Sequence, residues 1–247
     1  MKKIAQVAII KPLHNLFDYE IPEEFGNIEP GMRVSVEFGR KLVLGFVVKV
    51  KKYDNSLGYK LKKISAVVDK KPSLDAETLN LLIWVSNYYH APLGQVIGLG
   101  TPLYLRQGKD LSNDISNNIK QKENFLKDKI LMTREQSDAI EIIEKSINSF
   151  ECFLLDGITG SGKTEVYKNI QEQIYKNNLQ TLIIVPEKNL IPELLKYFDS
   201  SDMTVLEYHS SLTPKQKFTN WNLIQQCKAD IIIGTRSSVF LKIPELG

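Results

Sequence analysis

Apolar positions follow two different patterns along this chain. Ile4-Ala5-Gln6-Val7-Ala8-Ile9-Ile10 is apolar and β-prone, and Pro12 limits it. Met32 to Phe38 alternates, with Val34 and Val36 on one face and Arg33, Ser35 and Glu37 on the other. Gly39-Arg40-Lys41 breaks that pattern and Leu42 to Val50 resumes it. Pro30-Gly31 signals a turn, and Lys60 to Val68 reads as a further strand. Several short strands separated by turns predict a small β-barrel. From Pro72 the period becomes helical. Ser73 is a candidate N-cap, and Leu79, Leu82, Ile83 and Val85 place a helix over Leu74 to His90, with a short one near Leu93 to Leu99.

Gly108 to Lys129 is dominated by Asn, Ser, Lys and Asp and reads as a linker with at most a marginal helix. The predicted organisation is a barrel with following helices over 1–108, a polar linker over 109–129, and a second domain over 130–247. In that second domain strands and helices alternate. Thr133 to Ser146 is amphipathic, with Ala139, Ile140, Ile143 and Ile147 as its apolar face. Cys152 to Leu155 reads as a short buried strand, and Thr181 to Val185 as a parallel strand buried on both faces. Leu190 to Phe198 is helical, and Met203 to Leu206 and Asp230 to Ile233 are two more strands. This alternation with short loops predicts a parallel α/β sheet.

The 247 residues are 43% hydrophobic and 25% charged, as in soluble globular proteins. No apolar run is long enough to cross a bilayer, and the basic start at Met1-Lys2-Lys3 lacks a signal-peptide core, so a cytoplasmic protein without a membrane partner is expected. Cys152 and Cys227 lie in or beside apolar runs and read as buried free thiols. With only three scattered His, no zinc site is expected. The net charge of +3 is uneven: residues 1–110 carry 16 Lys+Arg against 11 Asp+Glu, and the remainder 16 against 18. Arg40 to Lys71 is the most basic stretch. A polyanion such as nucleic acid suits it; a solvated hairpin surface is the alternative.

Gly157-Ile158-Thr159-Gly160-Ser161-Gly162-Lys163-Thr164 fits G-x-x-x-x-G-K-[ST] immediately ahead of a predicted helix. Glycines let the backbone curl so that several N–H groups meet one phosphate, and the helix N-terminus adds a favourable dipole. Lys163 is placed to neutralise β/γ-phosphate charge and Thr164 to hold Mg²⁺. No acidic pair follows the apolar strand ending at Ile233.

Asp156 to Tyr167 closely resembles the Walker A segment of the PriA family, the bacterial primosomal proteins N′ that restart replication forks as superfamily 2 helicases. Thr133-Arg134-Glu135-Gln136, Val185-Pro186-Glu187, His209-Ser210-Ser211-Leu212 and Ile233 to Ser237 resemble that family's helicase motifs in order. In the front half, Phe17-Asp18-Tyr19, Arg33 to Gly39, Tyr88 to Gly94 and Leu103 to Gly108 resemble its N-terminal motifs.

The resemblance implies a RecA-like lobe with ATP and Mg²⁺ as cofactors, preceded by a barrel that captures the 3′ end of a nascent strand. Phe17, Asp18, Tyr19 and Gly39 would form the pocket for the terminal nucleotide, with Lys62 or Lys63 on a phosphate. A carboxylate accepts a hydrogen bond from a free 3′-OH and repels a 3′-phosphate, and an aromatic stacks on any base. Read without the resemblance, Asp18 and Tyr19 are a turn before a strand. Gly157, Thr159, Gly160, Ser161, Gly162, Lys163, Thr164 and Glu165 would bind ATP, Gln136 would recognise adenine, and Thr235 and Arg236 would touch single-stranded DNA. Lys163 and Thr164 would be the catalytic residues. Implied partners are DNA forks, single strands with a free 3′ end, primosome accessory proteins and single-strand-binding protein.

Three family features are missing. The polar stretch is too short for a winged-helix domain, the acidic Walker B motif is not reached by Gly247, and the second lobe with its zinc-binding cysteines is absent. The expectation is a truncated member that binds nucleotide and hydrolyses it poorly or not at all. The alternative is a DNA-end-binding module with a non-catalytic P-loop.

Overall fold

A computed structural model of the chain describes residues 3–53, 61–109, 131–147, 149–198 and 203–247. Most of the predicted linker lies outside these residues. The chain divides into two compact units. The first contains the described residues before 110, joined by 212–219 and 237–242; the second contains the rest.

In the first unit, β1 (Lys3–Ile9), β2 (Phe17–Ile21), β3 (Arg33–Phe38), β4 (Lys41–Lys52) and β5 (Ile64–Val67) form an antiparallel sheet in the order β2-β1-β4-β3-β5. β3 and β4 make a hairpin in which Phe38 faces Lys41 across Gly39-Arg40. Gly39 has φ +65°, the left-handed conformation that this two-residue connection requires. The sheet curls until its ends meet: the Glu20 amide of β2 donates to the Lys62 carbonyl at 2.9 Å, and Glu20 bridges Lys63.

Ala5, Val7, Tyr19, Val34, Val36 and Val47 fill the inside of the curl. Outside it, Ala8 and Phe46 pack under α1 (Ala76–Tyr88) and α2 (Leu93–Gly100) through Leu79, Leu82, Val96 and Ile97. β1 is therefore buried on both faces, which explains its almost continuous apolar sequence. α2 lies so close to β1 that a Cβ at Gly94 would sit 1.8 Å from the Ile9 carbonyl oxygen, so only glycine fits there. A short α3 (Leu103–Arg106) follows.

Two readings are corrected in this unit. The N-cap of α1 is Asp75, whose carboxylate accepts from the Thr78 amide; the Ser73 hydroxyl donates to Asp69 instead. Arg33, on the polar face of the alternating strand, is buried, because Asp69 neutralises it at the end of β5.

The second unit contains α4 (Arg134–Glu144), α5 (Lys163–Lys176), β6 (Thr181–Ile184), α6 (Ile191–Phe198), β7 (Val205–Tyr208), α7 (Pro214–Gln225, whose first half groups with the first unit) and β8 (Ile231–Gly234). The strands are parallel in the order β6-β8-β7. β8 is central and fully buried. β6, expected to be buried on both faces, is an edge strand and only half-buried.

Cys152 to Leu155 is not a strand. It has no regular structure, and Leu154 is 92% exposed. A four-residue apolar run becomes a strand only where a sheet edge pairs with it, and Cys152 to Leu155 pairs with none of β6, β8 and β7. Cys152 and Cys227 are exposed rather than buried. Among the described residues no helix is long and apolar enough to cross a membrane, and no cluster of His, Cys, Asp and Glu could hold a metal ion.

Candidate functional site

A cavity of about 770 Å³ opens at the edge strand β2, within the size range of small-ligand sites. It brings together Phe17, Asp18, Tyr19, Gly39 and Lys62, five of the residues singled out from sequence, and adds Gln6, His14, Glu37 and Phe38. Phe17 packs edge-on against Phe38 with centroids 5.0 Å apart, and the Lys11 ammonium lies 5.0 Å from the Phe38 ring. Phe17 is half-buried, so part of its ring faces the cavity.

Tyr19 is different. Its ring belongs to the interior of the curl, 4% exposed, and its hydroxyl donates to the Glu37 carbonyl at 3.1 Å. Burial and the nearby Glu37 charge raise its phenolic pKa.

The charged groups of the cavity are paired. Lys62 Nζ donates to Glu37 Oε1 at 2.7 Å and to the Gly39 carbonyl at 3.2 Å. Asp18 Oδ2 accepts from Lys51 Nζ at 3.0 Å, and Oδ1 from Gln6 Nε2 at 3.1 Å. Of the two candidate lysines, Lys62 lines the cavity, whereas Lys63 Nζ lies 4.0 Å from Glu20. Glu37 and Lys51 were missed from sequence because their partners lie far away along the chain. Gln6 left a signal, as a lone polar residue in an apolar strand, and it is the cross-strand partner of Asp18.

In the second unit, Gly160 and Gly162 have φ of +83° and +78°, so the P-loop turns where L side chains are strained. Gly162 caps the 14-residue α5, and its carbonyl accepts from the Glu165 amide at 3.0 Å. Lys163 Nζ folds back onto the Gly157 and Ile158 carbonyls. Thr164 is exposed on the first helical turn. The Glu165 carboxylate accepts from the Tyr197 hydroxyl at 2.6 Å, and burial together with that bond raises the Tyr197 pKa well beyond the ordinary range.

Gln136 completes a capping box with Thr133, and its Nε2 donates to the Ser161 carbonyl at 3.0 Å. Both atoms of its amide are thus engaged, and it stands against the P-loop: a Cβ at Gly162 would lie 2.4 Å from Nε2. The loop fits a phosphate chain, since glycine curls it, an ammonium is held within it, and a helix N-terminus closes it.

The parallel strands place the remaining motif residues. Val185-Pro186-Glu187 follows the carboxyl end of β6, His209 that of β7, and Thr235-Arg236 that of β8. Lys188 Nζ donates to Ser211 Oγ at 3.0 Å and ties two of these loops together. α5 runs back to the start of β6, so its N-terminus and the P-loop lie at this same sheet edge, where ligands of parallel sheets bind. Arg236 is exposed and Thr235 half-buried.

Comparison with known proteins gives two family matches. Residues 6–102 match the PriA 3′DNA-binding domain, and residues 129–245 match the res subunit of type III restriction enzymes. The chain is similar to the replication restart protein PriA of Haemophilus influenzae, at 28% identity over 324 residues covering 99% of the chain and 43% of that protein. It is similar to its namesake in Rickettsia prowazekii, at 32% over 245 residues covering 97% and 36%. The Bacillus subtilis protein of that name matches at 34% over 121 residues, 47% of the chain and 15% of that protein. The chain thus spans well under half the length of these relatives. The Haemophilus alignment is longer than the 247-residue chain, whereas the Rickettsia alignment is of matching length, so the Rickettsia relative shares the compact spacing of this sequence.

Proposed function

The chain belongs to the PriA replication-restart family, and from this we propose that it reads the 3′-OH end of a DNA strand in its first unit and binds ATP on its second, RecA-like unit. The observation that carries the reading is the single cavity that gathers Phe17, Asp18, Gly39 and Lys62 within the segment matching a 3′DNA-binding domain. Asp18 accepts the hydrogen bond of a free 3′-OH, the exposed part of Phe17 meets the terminal base, and Lys62 meets the backbone phosphate. None of these three contacts depends on base identity, as restart at any sequence requires. Tyr19 supports the wall through Glu37 rather than stacking on the base.

On the second unit, the P-loop amides, Lys163 and Thr164 would hold the phosphates of ATP and its Mg²⁺, while Gln136 supports the loop from the side. Hydrolysis of ATP held there would supply the free energy for 3′-to-5′ unwinding by a full-length member of the family. Thr235 and Arg236, at the same sheet edge as the P-loop, would contact the single strand being moved. On this reading primosome accessory proteins and single-strand-binding protein are partners of the complete protein.

The test is fluorescence anisotropy with forked oligonucleotides that differ only in a 3′-OH or 3′-phosphate at the branch. The chain is expected to prefer the 3′-OH, and Asp18→Ala to lose that preference. Equal binding of both ends by the unsubstituted chain sinks the pocket assignment.

A further inference from the structure

Asp18 does not stand alone in the cavity. Gln6 Nε2 holds Oδ1 at 3.1 Å from the neighbouring strand, and Lys51 Nζ holds Oδ2 at 3.0 Å from β4. Lys51 is not among the residues lining the cavity, and 38% of its side chain is exposed, while the Asp18 side chain is 16% exposed. An aspartate χ2 is broad and weakly restrained by itself. Two donors on separate oxygens fix the carboxylate plane, and an ionised carboxylate offers about four lone-pair directions. Each oxygen therefore retains acceptor capacity.

We infer that Gln6 and Lys51 are positioning residues for Asp18: Gln6 sets the direction of the acceptor, and Lys51 sets the charge that a strand end meets. The inference rests on the proposed role of Asp18 at the 3′ end. Its content is that orientation and charge are carried by separate side chains. The Asp18–Lys51 pair is formally neutral, as is the Glu37–Lys62 pair across the cavity. A terminal phosphate brought to Asp18 therefore meets a compensated carboxylate. Its rejection comes mainly from what it lacks, since a phosphate dianion has no proton to donate while a 3′-OH does.

The two side chains then have opposite signatures in the ratio of 3′-OH to 3′-phosphate affinity. Gln6→Leu leaves the charge unchanged and frees the carboxylate to turn. The 3′-OH affinity falls roughly three- to ten-fold, the 3′-phosphate affinity is unchanged, and the ratio falls. Lys51→Met also loosens the carboxylate but leaves its charge bare. Affinity for the 3′-phosphate end falls further than that for the 3′-OH end, and the ratio rises. Lys51→Arg restores both values. Lys52→Met, which removes the same charge one residue along, lowers both affinities equally and leaves the ratio as it was.

The experiment is the anisotropy titration of the full chain on both fork versions, with these variants and Asp18→Ala side by side. Opposite movement of the ratio in Gln6→Leu and Lys51→Met, with rescue by Lys51→Arg, supports the assignment. A ratio abolished by Asp18→Ala but unmoved by either variant overturns it and leaves the end-reading function intact. Movement of both in one direction overturns the separate assignment of charge to Lys51. A ratio unaffected by Asp18→Ala overturns the role of Asp18 on which the assignment rests, and equal binding of both ends by the unsubstituted chain overturns the end-reading function itself.

Discussion

Asp69→Ala should be among the most damaging single substitutions in the first unit, although Asp69 lies outside the cavity. Arg33 is 1% exposed. Its guanidinium donates to both oxygens of Asp69, and Nη1 donates to the Leu105 carbonyl at 2.6 Å and the Lys109 carbonyl at 3.1 Å. Asp69 Oδ2 also accepts from the Arg33 amide at 2.8 Å and the Ser73 hydroxyl at 2.6 Å. Removing the carboxylate strands a buried cation, a backbone N–H and a hydroxyl at once.

Breaking a buried ion pair from one side costs about 3–5 kcal/mol, a large share of the ~5–15 kcal/mol that holds a domain folded. At roughly 2–4 °C per kcal/mol for a chain of this size, the melting midpoint should fall by about 10 °C. The assay is thermal unfolding followed by circular dichroism, with Arg33→Met and the double variant measured in parallel. The double variant should recover part of the loss, because no unpaired charge stays buried. Below its melting range, Asp69→Ala should keep the 3′-OH preference, since Glu37 lies four residues beyond Arg33, about 13 Å along the strand. A midpoint within about 2 °C of the parent chain would refute the claim that this pair is buried and tightly held.

Tyr19→Phe should cost about 1 kcal/mol in a denaturant titration, the worth of one part-buried hydrogen bond, and leave the ratio of 3′-OH to 3′-phosphate binding unchanged; a changed ratio would show that the hydroxyl serves the ligand rather than Glu37. Asp75→Ala should cost about 1 kcal/mol at neutral pH, the usual value of an N-cap. Burial opposes the charge of Asp75, but the bonds from Thr78 and the Lys242 ammonium outweigh it and hold its pKa below the ordinary 3.8. Its contribution is therefore present above pH 3.8 and lost as pH falls through the depressed value, so the melting curves of parent and variant should converge in acid. Lys163→Met should weaken binding of a fluorescent ATP analogue roughly 10- to 100-fold, and an unchanged affinity would leave the P-loop without a phosphate role. Raising salt should weaken binding to every fork while preserving the preference for the 3′-OH end, because the charged groups of the cavity are paired with neighbouring side chains; a preference that vanishes with salt would place selectivity in long-range charge.

What could be read in advance was what neighbouring residues settle among themselves. The β3–β4 hairpin follows from alternation interrupted by Gly39-Arg40. The P-loop follows from glycines that take positive φ just before a helical run, and α4 from the amphipathic period that begins at Thr133. What was misread depends on partners elsewhere. Cys152 to Leu155 has strand composition, but a strand exists only beside another, and none of β6, β8 and β7 pairs with it. Thr181 to Val185 has the composition of a central strand, yet β8 takes the centre. Arg33 became a core residue because Asp69, 36 positions later, neutralises it. Lys51, 33 positions from Asp18, was invisible for the same reason.

The cavity is the clearest case of function depending on long-range geometry. Its walls come from four segments: Gln6 on β1, His14 to Tyr19 running into β2, Glu37 to Gly39 at the tip of the β3–β4 hairpin, and Leu61-Lys62 ahead of β5. In the sheet order, β2 and β5 are at opposite ends, four strand spacings apart. In a flat sheet that separation would be about 19 Å, too far for one nucleotide to touch both. Curling brings the Lys62 carbonyl within 2.9 Å of the Glu20 amide, and the same closure carries the Lys62 ammonium to Glu37 and Gly39. The twist needed for such closure is intrinsic to β-strands, but its extent is set by the apolar side chains that fill the inside, Val7, Tyr19, Val34, Val36 and Val47 among them. The core residues and the site residues therefore answer to one constraint. Tyr19 belongs to both sets, packing its ring into the curl and bonding its hydroxyl to the carbonyl of Glu37, the residue that holds Lys62 over the cavity.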